Sequence, residues 1–365
     1  MEKSKSKRVA LISGHYLETK RRAGFHWLAD AFHRRGDEVL FFTAPISWLS
    51  WLKKDHRFQY PVLDERNRMI EKSARLWSFV WFTAFHPANF RSRFINWVVS
   101  PLLRLFPYLP LGESREFLKS ADLIIFESTT AITLFPRIQA LNPSARKVYR
   151  VSDDLGFLKN HPLAIAAESR AAGDFDLVSV PTEVFLKKFS TARCEHQLHG
   201  IRKDLFDQAS ESPYESGTNA VFVGVNFLDR GFLEIAARLR PEWHFHIIGP
   251  FEASGPENIH WHGERSFEET VPYLKFADIG LLNLVDIPGA ACFTDSLKTI
   301  QYSYCALPII APNMLESKRS NFFFYQPENR DSIDSALTAA ITADRSSFTS
   351  DGIHSWDELA EKIGL

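Results

Sequence analysis

Short apolar runs alternate along the chain with segments whose apolar residues recur at helical spacing. In the first half, the segments 25–34 and 130–141 have this helical spacing. The apolar runs between them have the length and composition of buried strands and occupy 9–12, 38–43, 123–127, 147–151 and 177–180. Strands that alternate with helices in this way are typical of a parallel sheet built from βα units.

A second series of the same kind follows a polar stretch at 210–218. Its strand-like runs occupy 220–224, 243–249, 258–262, 279–282 and 308–311, and 267–276 has helical spacing. The pattern predicts an α/β protein with two doubly wound, Rossmann-like domains joined near residue 214. Because ligands bind at the carboxyl ends of the strands in such sheets, we expect the chemistry in a cleft between the domains.

The composition favours a folded protein without a membrane span. The chain has 365 residues, of which 45% are hydrophobic and 24% charged, and this is enough for two ordinary cores. The apolar run near the start lasts only four residues, too few for a signal peptide, and the longest apolar stretch, 94–111, is interrupted by three prolines. The three cysteines lack metal-ligand spacing and favour reduced thiols in a cytosol.

The charge is distributed unevenly along the chain. Residues 1–120 carry 21 Lys and Arg against 11 Asp and Glu, whereas the remainder has a balance of −11. Within residues 1–120, tryptophans and basic residues are interleaved, which predicts an anionic membrane surface as partner. The residues expected to face it are Trp48, Trp51, Trp77, Trp81, Arg91, Arg93 and Arg104. The spacing of Trp77 and Trp81 predicts one helix face, and a core stripe beneath a basic solvated surface is the alternative. No nucleic-acid-binding motif is present, and nucleic acid is not expected as a partner.

The region around 295–302 predicts an anion site. Ser296 can cap a helix whose first backbone N–H groups face a diphosphate, and Lys298 adds a full positive charge beside them, so no metal is required. The alternative is a structural cap with a solvated Lys298. The order of features in this half resembles the nucleotide-sugar domain of GT-B glycosyltransferases.

Several segments together narrow the resemblance. The segments 122–128, 141–145 and 147–153, the residues His15, Arg21 and Arg22, and the block around Lys298 are similar to the GumK-like inverting glucuronosyltransferases of exopolysaccharide assembly. The similarity covers about 9–340. It implies the GT-B fold, with an acceptor-binding, membrane-facing domain at 1–213, a nucleotide-sugar domain at 214–345 and a C-terminal segment, 346–365, that packs back on the first domain.

The resemblance implies a role for each candidate residue. Asp153 would accept the proton of the acceptor hydroxyl, and inversion at the anomeric carbon needs such a base. His15, Arg21 and Arg22 would contact the acceptor. The implied donor-binding residues are Gly224, Val225, Asn226, Glu264, Arg265, Ser296, Leu297, Lys298 and Gln301. From the residues alone, 152–154 is equally a helix N-cap, and His15 a hydrogen-bonded loop histidine.

The implied substrates are a UDP-sugar, most simply UDP-glucuronate, and a saccharide linked to polyprenyl diphosphate. The enzyme would need no metal and would lie on the cytoplasmic face of the cell membrane. The chain departs from its relatives at Asn226 and Arg265, where they carry methionine, and at Leu284, where they carry tyrosine. These departures leave open another UDP-sugar as the donor. A GT-B-like epimerase or hydrolase and a non-catalytic membrane-binding protein of the same fold are the alternative functions. Arg265 could pair with a uronate carboxylate or be solvated.

Overall fold

The computed structural model describes residues 6–20 and 22–365. Two compact units are present, and Arg21, a candidate acceptor residue, lies outside the described residues. The strands are β1 (Arg8–Ser13), β2 (Glu38–Ser47), β3 (Met69–Ser73), β4 (Leu76–Thr83), β5 (Leu123–Glu127), β6 (Arg146–Arg150), β7 (Leu177–Val180), β8 (Cys194–His196), β9 (Thr218–Val223), β10 (Trp243–Ile248), β11 (Ile259–Trp261), β12 (Ile279–Leu281), β13 (Ile309–Pro312) and β14 (Phe322–Tyr325).

The helices connect these strands. They are α1 (Gly24–Arg34), α2 (Trp48–Leu52), α3 (Arg93–Leu103), α4 (Ser114–Ser120), α5 (Phe135–Leu141), α6 (Pro162–Ala171), α7 (Glu183–Lys188), α8 (Lys203–Gln208), α9 (Arg230–Leu239), α10 (Phe267–Lys275), α11 (Leu297–Tyr304), α12 (Arg330–Thr342) and α13 (Trp356–Gly364). Across 6–20 and 22–365, none of the helices is both long and apolar enough to span a bilayer.

Unit 1 comprises Met1–Gln197 and Trp356–Leu365. Its sheet has the strand order β3-β4-β2-β1-β5-β6-β7-β8, and its strands are parallel except for the antiparallel β3–β4 pair. Strand β1 is apolar and buried because it lies between β2 and β5 with helices on both faces. The chain crosses from one side of β1 to the other before β5, so the carboxyl ends of β1 and β5 form a topological switch point, where ligands bind in such sheets.

Unit 2 comprises Leu198–Ser355 and has a parallel sheet with the order β11-β10-β9-β12-β13-β14. Its boundary lies 16 residues before the expected start at 214. The difference arises because α8 packs on this unit: Phe206 is in its core, and the Lys275 Nζ donates to the Phe206 carbonyl at 2.6 Å. A hydrophobic contact and a partly buried ammonium therefore hold α8, which precedes the polar stretch at 210–218, on unit 2.

The C-terminal segment divides between the units at 355/356 rather than leaving unit 2 at 346. Helix α13 packs on α1 of unit 1, where the Trp356 ring lies against Gly24. Arg34 binds the Asp357 carboxylate at 2.9 Å, and the Lys7 Nζ donates to the Gly364 carbonyl at 2.7 Å. The last helix thus completes the first unit.

The predicted helix around Trp77 and Trp81 is wrong, because these residues lie on strand β4. Residues four apart share a face in a strand as well as in a helix, so the spacing alone did not distinguish them. Trp81 is fully buried, its indole N–H donates to the Pro110 carbonyl at 2.7 Å, and its ring packs 4.8 Å from that of Phe106. A buried Trp removes about 150–250 Å² from water, worth roughly 4–6 kcal/mol. Trp81 is therefore a core residue and does not face a membrane, while Trp77 is half-buried.

Candidate active site

Asp153 lies in the loop that leaves β6, at the carboxyl end of the sheet of unit 1. The backbone N–H groups of Ser152 and Asp153 both donate to the Ser128 hydroxyl at 2.9 Å, which fixes this loop against the end of β5. The alternative of a helix N-cap does not hold, because turns follow Asp153 and α6 begins only at Pro162. The Asp153 carboxyl is thus free of a capping role and is half-buried.

Glu127 ends β5 and is buried beside Asp153. Its carboxylate accepts hydrogen bonds from the Ser13 hydroxyl at 2.6 Å, the Gly14 N–H at 3.0 Å and the Ser152 hydroxyl at 3.2 Å. Burial alone would raise the pKa of Glu127. The nearby charge of His15 and these donors outweigh burial and hold the pKa at about 2. Glu127 is therefore a fixed negative charge at the switch point.

His15 and Asp153 titrate under the influence of this charge. The His15 Nε2 lies 3.5 Å from a Glu127 oxygen. Burial lowers the pKa of His15, but the Glu127 carboxylate raises it more, and the net shift is upward. Burial, together with the Glu127 charge, raises the pKa of Asp153 to about 6, although His15 opposes this shift. A carboxylate with such a pKa is a stronger base than an exposed aspartate.

These three side chains line a cavity of about 610 Å³ within unit 1. Among its other charged side chains, Arg57 is buried, forms an ion pair with Asp55 at 2.6 Å and donates to the Gly14 carbonyl at 2.7 Å. Arg57 therefore supports the loop that carries His15. The remaining Lys and Arg side chains of the lining are those of Lys53, Arg91 and Lys159.

The predicted acceptor residues separate in the structure. His15 lines the cavity with Asp153. Arg22 forms an ion pair with Asp30 at 2.6 Å, lies over the Trp27 ring and is not part of the lining. Its charge is satisfied on α1, which removes the reason to place it on an anionic ligand.

In unit 2, the close packing of strand ends requires glycine at two positions. A Cβ on Gly249 would lie 1.9 Å from the Gly224 carbonyl oxygen, and a Cβ on Gly224 would lie 3.0 Å from the Lys298 Nζ. The Gly249 N–H in turn donates to the Gly263 carbonyl at 2.8 Å. The loops after β9, β10 and β11 therefore meet beside the ammonium group of Lys298.

Lys298 extends from the first turn of α11 over the Phe222 ring, 4.2 Å from its centroid. Burial lowers the pKa of Lys298 to about 8, and no carboxylate lies within ion-pair distance of it among the described residues. Ser296 occupies the N-cap position of α11, but its hydroxyl bonds the Thr299 hydroxyl at 3.2 Å instead of a backbone N–H. Gln301 is buried on the same helix. An anion bound here would supply the counter-charge that the Lys298 ammonium lacks among the described residues.

The other predicted donor residues lie around this point. Val225 and Asn226 are exposed just after β9, Leu297 is half-buried at the start of α11, and Glu264 and Arg265 are exposed after β11. Arg265 lies 3.6 Å from the Glu269 carboxylate. The four histidines of β10 and β11 hydrogen-bond in pairs at 3.0 Å, as His244–His260 and His246–His262. Within the described residues, no group of three or more ligating side chains could hold a metal ion.

Comparison with solved structures defines the fold class. The "OtsA apo structure" matches with a TM-score of 0.61 and 12% identity, and covers 98% of both chains. A structure of Anabaena Alr3699/HepE in complex with UDP and glucose matches with a TM-score of 0.58 and 12% identity, over 98% of this chain and 95% of that one. The two Rossmann-like units thus have the GT-B fold, which confirms the predicted fold class.

Sequence comparison identifies the proteins that this chain resembles. Residues 11–181 match the family described as "Glucuronosyltransferase GumK, N-terminal domain". The chain is also 27% identical over 358 residues to the UDP-glucuronate:glycolipid 2-beta-glucuronosyltransferase of Xanthomonas campestris pv. campestris, covering 97% of this chain and 88% of that protein. The resemblance to GumK-like glucuronosyltransferases noted from the sequence is therefore confirmed, and the comparisons indicate a glycosyltransferase.

The coupling of His15 to Asp153 can be tested without an activity assay. We expect His15→Gln to raise the pKa of Asp153 further above 6, because the imidazolium that favours the ionised carboxylate is lost. The measurement is a carbon-13 NMR titration of the Asp153 carboxyl. His33→Gln, whose ring does not line the cavity, is the control and should leave that pKa unchanged. An unshifted or lowered pKa in His15→Gln would contradict the coupling.

Proposed function

We propose that the protein is an inverting glycosyltransferase that moves glucuronate from UDP-glucuronate to a saccharide linked to polyprenyl diphosphate, in polysaccharide biosynthesis. The observation that carries the proposal is Asp153, a half-buried carboxyl with a raised pKa at the switch point of a GumK-like unit. The relative that acts on UDP-glucuronate and a glycolipid supports these substrates.

In the proposed reaction, Asp153 is the general base. The acceptor hydroxyl attacks the anomeric carbon opposite the UDP group, its proton passes to an Asp153 Oδ, and the bond between that carbon and the UDP oxygen breaks. Ionised at neutral pH, with a pKa of about 6, Asp153 can accept a proton and still be basic enough to assist the attack. Glu127 holds the two loops of the site in place and remains charged throughout.

The leaving diphosphate needs positive charge as the bond breaks. We propose that Lys298 and the first backbone N–H groups of α11 supply it, so that the reaction uses no metal ion. The ammonium of Lys298, without a carboxylate partner among the described residues, supports this role.

One observation favours a UDP-sugar other than UDP-glucuronate as the alternative donor. Arg265, the residue that could bind a uronate carboxylate, is already near Glu269 at 3.6 Å. A neutral hexose would leave that pair intact. A donor screen with membrane extract, in which UDP release is followed, separates the two donors. Faster release from UDP-glucuronate than from UDP-glucose supports UDP-glucuronate as the donor. Equal consumption of a UDP-sugar without a lipid acceptor would instead indicate an epimerase or hydrolase.

Loss of the base should affect turnover and spare donor binding. We expect Asp153→Asn to lower kcat by about 10²–10⁴, the usual contribution of a general base, with UDP affinity unchanged. In the unaltered protein, kcat should fall as the pH drops below about 6, because the protonated carboxyl cannot accept a proton. The adjacent Asp154, which binds Lys188 at 2.9 Å, provides the matched control, and Asp154→Asn should retain kcat within a few-fold. Near-normal turnover in Asp153→Asn would remove Asp153 from the role.

The charge state of Lys298 should control donor affinity. Since its pKa is about 8, we expect UDP affinity, measured by calorimetry, to decline between pH 7.5 and 9.5 as the ammonium loses its proton. Lys298→Met should bind UDP more weakly at pH 7.5 and lose this decline. Arg238→Met removes an exposed charge of the same unit and should leave the profile unchanged. A pH-independent affinity in the unaltered protein would refute the assignment.

We also propose that unit 1 binds the cytoplasmic face of the cell membrane. Helices α2 and α3 and the residues after α3 expose large apolar side chains. This apolar ridge consists of Trp48, Trp51, Phe94, Trp97, Leu102, Leu105 and Tyr108. Arg93 and Arg104 are exposed at the two ends of α3. An anionic lipid surface binds exposed apolar side chains that lie beside cationic ones.

Membrane binding should depend on both components. Each Arg near an anionic surface contributes about 1 kcal/mol, so we expect Arg93→Gln with Arg104→Gln to weaken sedimentation with phosphatidylglycerol vesicles roughly 30-fold. Phe94→Ser with Trp97→Ser should weaken it as well, and neither pair should change UDP affinity. Arg115→Gln, at an exposed arginine paired with Glu116, is the matched control. Sedimentation of the unaltered protein that is insensitive to salt and acidic lipid would contradict membrane binding.

A further inference from the structure

The cavity of unit 1 has a group of cations beside the base, and it includes Arg91, which we had expected from the sequence to face a membrane. We propose that Lys53, Arg91 and Lys159 form a diphosphate subsite, which binds the diphosphate of the lipid-linked acceptor and directs its saccharide towards Asp153. The inference rests on the proposed function for the identity of the ligand, but its binding test does not require turnover.

The first argument is the absence of counter-charge. Two other arginines of unit 1 are ion-paired, Arg57 with Asp55 and Arg22 with Asp30. Within the described residues, Lys53, Arg91 and Lys159 have no carboxylate within ion-pair distance, although all three line the same cavity. The Lys53 Nζ instead lies 5.4 Å from the centroid of the Phe90 ring. The cavity therefore presents a net positive edge that an anion would neutralise.

The second argument is the backbone that holds two of these cations. Arg91 and Lys159 both adopt left-handed conformations, with φ of 59° and 52°, which residues with a Cβ rarely adopt. Asn89 joins the two turns: its Oδ1 accepts from the Arg91 N–H at 2.8 Å, and its Nδ2 donates to the Lys159 carbonyl at 2.8 Å. The Asn96 side chain donates to the same Asn89 oxygen at 2.9 Å. Unfavourable backbone conformations held by dedicated hydrogen bonds are typical of binding sites.

The third argument is the order of surfaces along unit 1. Lys53 directly follows α2, which carries Trp48 and Trp51, and Arg91 precedes α3, which carries Phe94 and Trp97. The three cations are exposed, whereas Asp153, in the same lining, is half-buried. The sequence of surfaces is therefore an apolar ridge, then cations, then a basic carboxylate. This matches the sequence of a polyprenyl chain, a diphosphate and a saccharide in one acceptor molecule.

The chemistry of the subsite is that of charge pairing to phosphate oxygens. Arg91 can bind two oxygens through its guanidinium fork, while Lys53 and Lys159 act as point charges. The three cations are exposed, whereas Glu127 is buried and its negative charge would repel a diphosphate. The saccharide, being uncharged at its reacting hydroxyl, is the part of the acceptor suited to approach Asp153.

The first test uses inorganic pyrophosphate as the probe, in calorimetry with saturating UDP present to occupy Lys298. We expect the combined variant Lys53→Gln, Arg91→Gln and Lys159→Gln to bind pyrophosphate at least tenfold more weakly than the unaltered chain. Lys54→Gln is the matched control, because Lys54 is exposed beside Lys53, is also left-handed and does not line the cavity. Unchanged affinity in the combined variant, or an equal loss in Lys54→Gln, would overturn the proposal.

A second test separates the acceptor diphosphate from ordinary lipid phosphate. Neutral phosphatidylcholine vesicles carry either polyprenyl diphosphate or phosphatidylglycerol at equal total charge. We expect the unaltered protein to bind the diphosphate vesicles more tightly, and the combined variant to lose this preference. Equal binding to both vesicles by the unaltered protein would show a lipid headgroup surface and overturn the subsite.

These tests remain readable if the proposed reaction is wrong. Glucuronate transfer can fail in the donor screen while pyrophosphate and diphosphate vesicles still bind in the manner expected here. Where transfer is observed, the combined variant should raise the KM for the lipid-linked acceptor at least tenfold without changing the KM for UDP-glucuronate. A change in the donor KM alone would contradict the assignment of these cations to the acceptor.

Discussion

The candidate catalytic site depends on one buried carboxylate, that of Glu127. A buried charge is tolerated only when hydrogen bonds and nearby charges compensate the loss of water. Here the compensation comes from His15, from Ser13 and Gly14 at the end of β1 and from Ser152 after β6, so satisfying Glu127 draws three strand ends together. The same charge raises the pKa of His15 and contributes to the raised pKa of Asp153. Geometry and titration at the switch point therefore have a common origin.

Much of the fold could be predicted from the sequence because buried parallel strands are short, apolar and regularly spaced. The bounds of β5 and β7 coincide with the predicted runs, and those of β1 and β6 differ by one or two residues. Strand β4 could not be predicted in this way, since two tryptophans four residues apart fit a strand and a helix equally. The start of unit 2 could not be predicted from the polar stretch at 210–218, because α8 before it is held on unit 2 by Phe206 and Lys275, residues distant in sequence.

For the site, the sequence could indicate individual residues but not their partners. Asp153 and Lys298 stand at strand and helix ends, where local pattern and resemblance both point to chemistry. The sequence did not indicate that Arg22 pairs with Asp30, or that Arg265 lies beside Glu269. Glu127 offered one usable signal, a charged residue at the end of a wholly buried strand. The lesson is that side-chain pairing decides which cations are available to a ligand, and pairing is a property of the folded chain.

The raised pKa of Asp153 has a consequence for how the site returns to its starting state. In the proposed reaction, each turnover leaves one proton on this carboxyl, which must reach solvent before the next acceptor can react. Because this pKa lies about one unit below neutral pH, most Asp153 carboxyls are ionised again once they equilibrate with solvent. A carboxyl with a pKa two units higher would take the proton more strongly, but it would stay mostly protonated at neutral pH and could not serve the next acceptor.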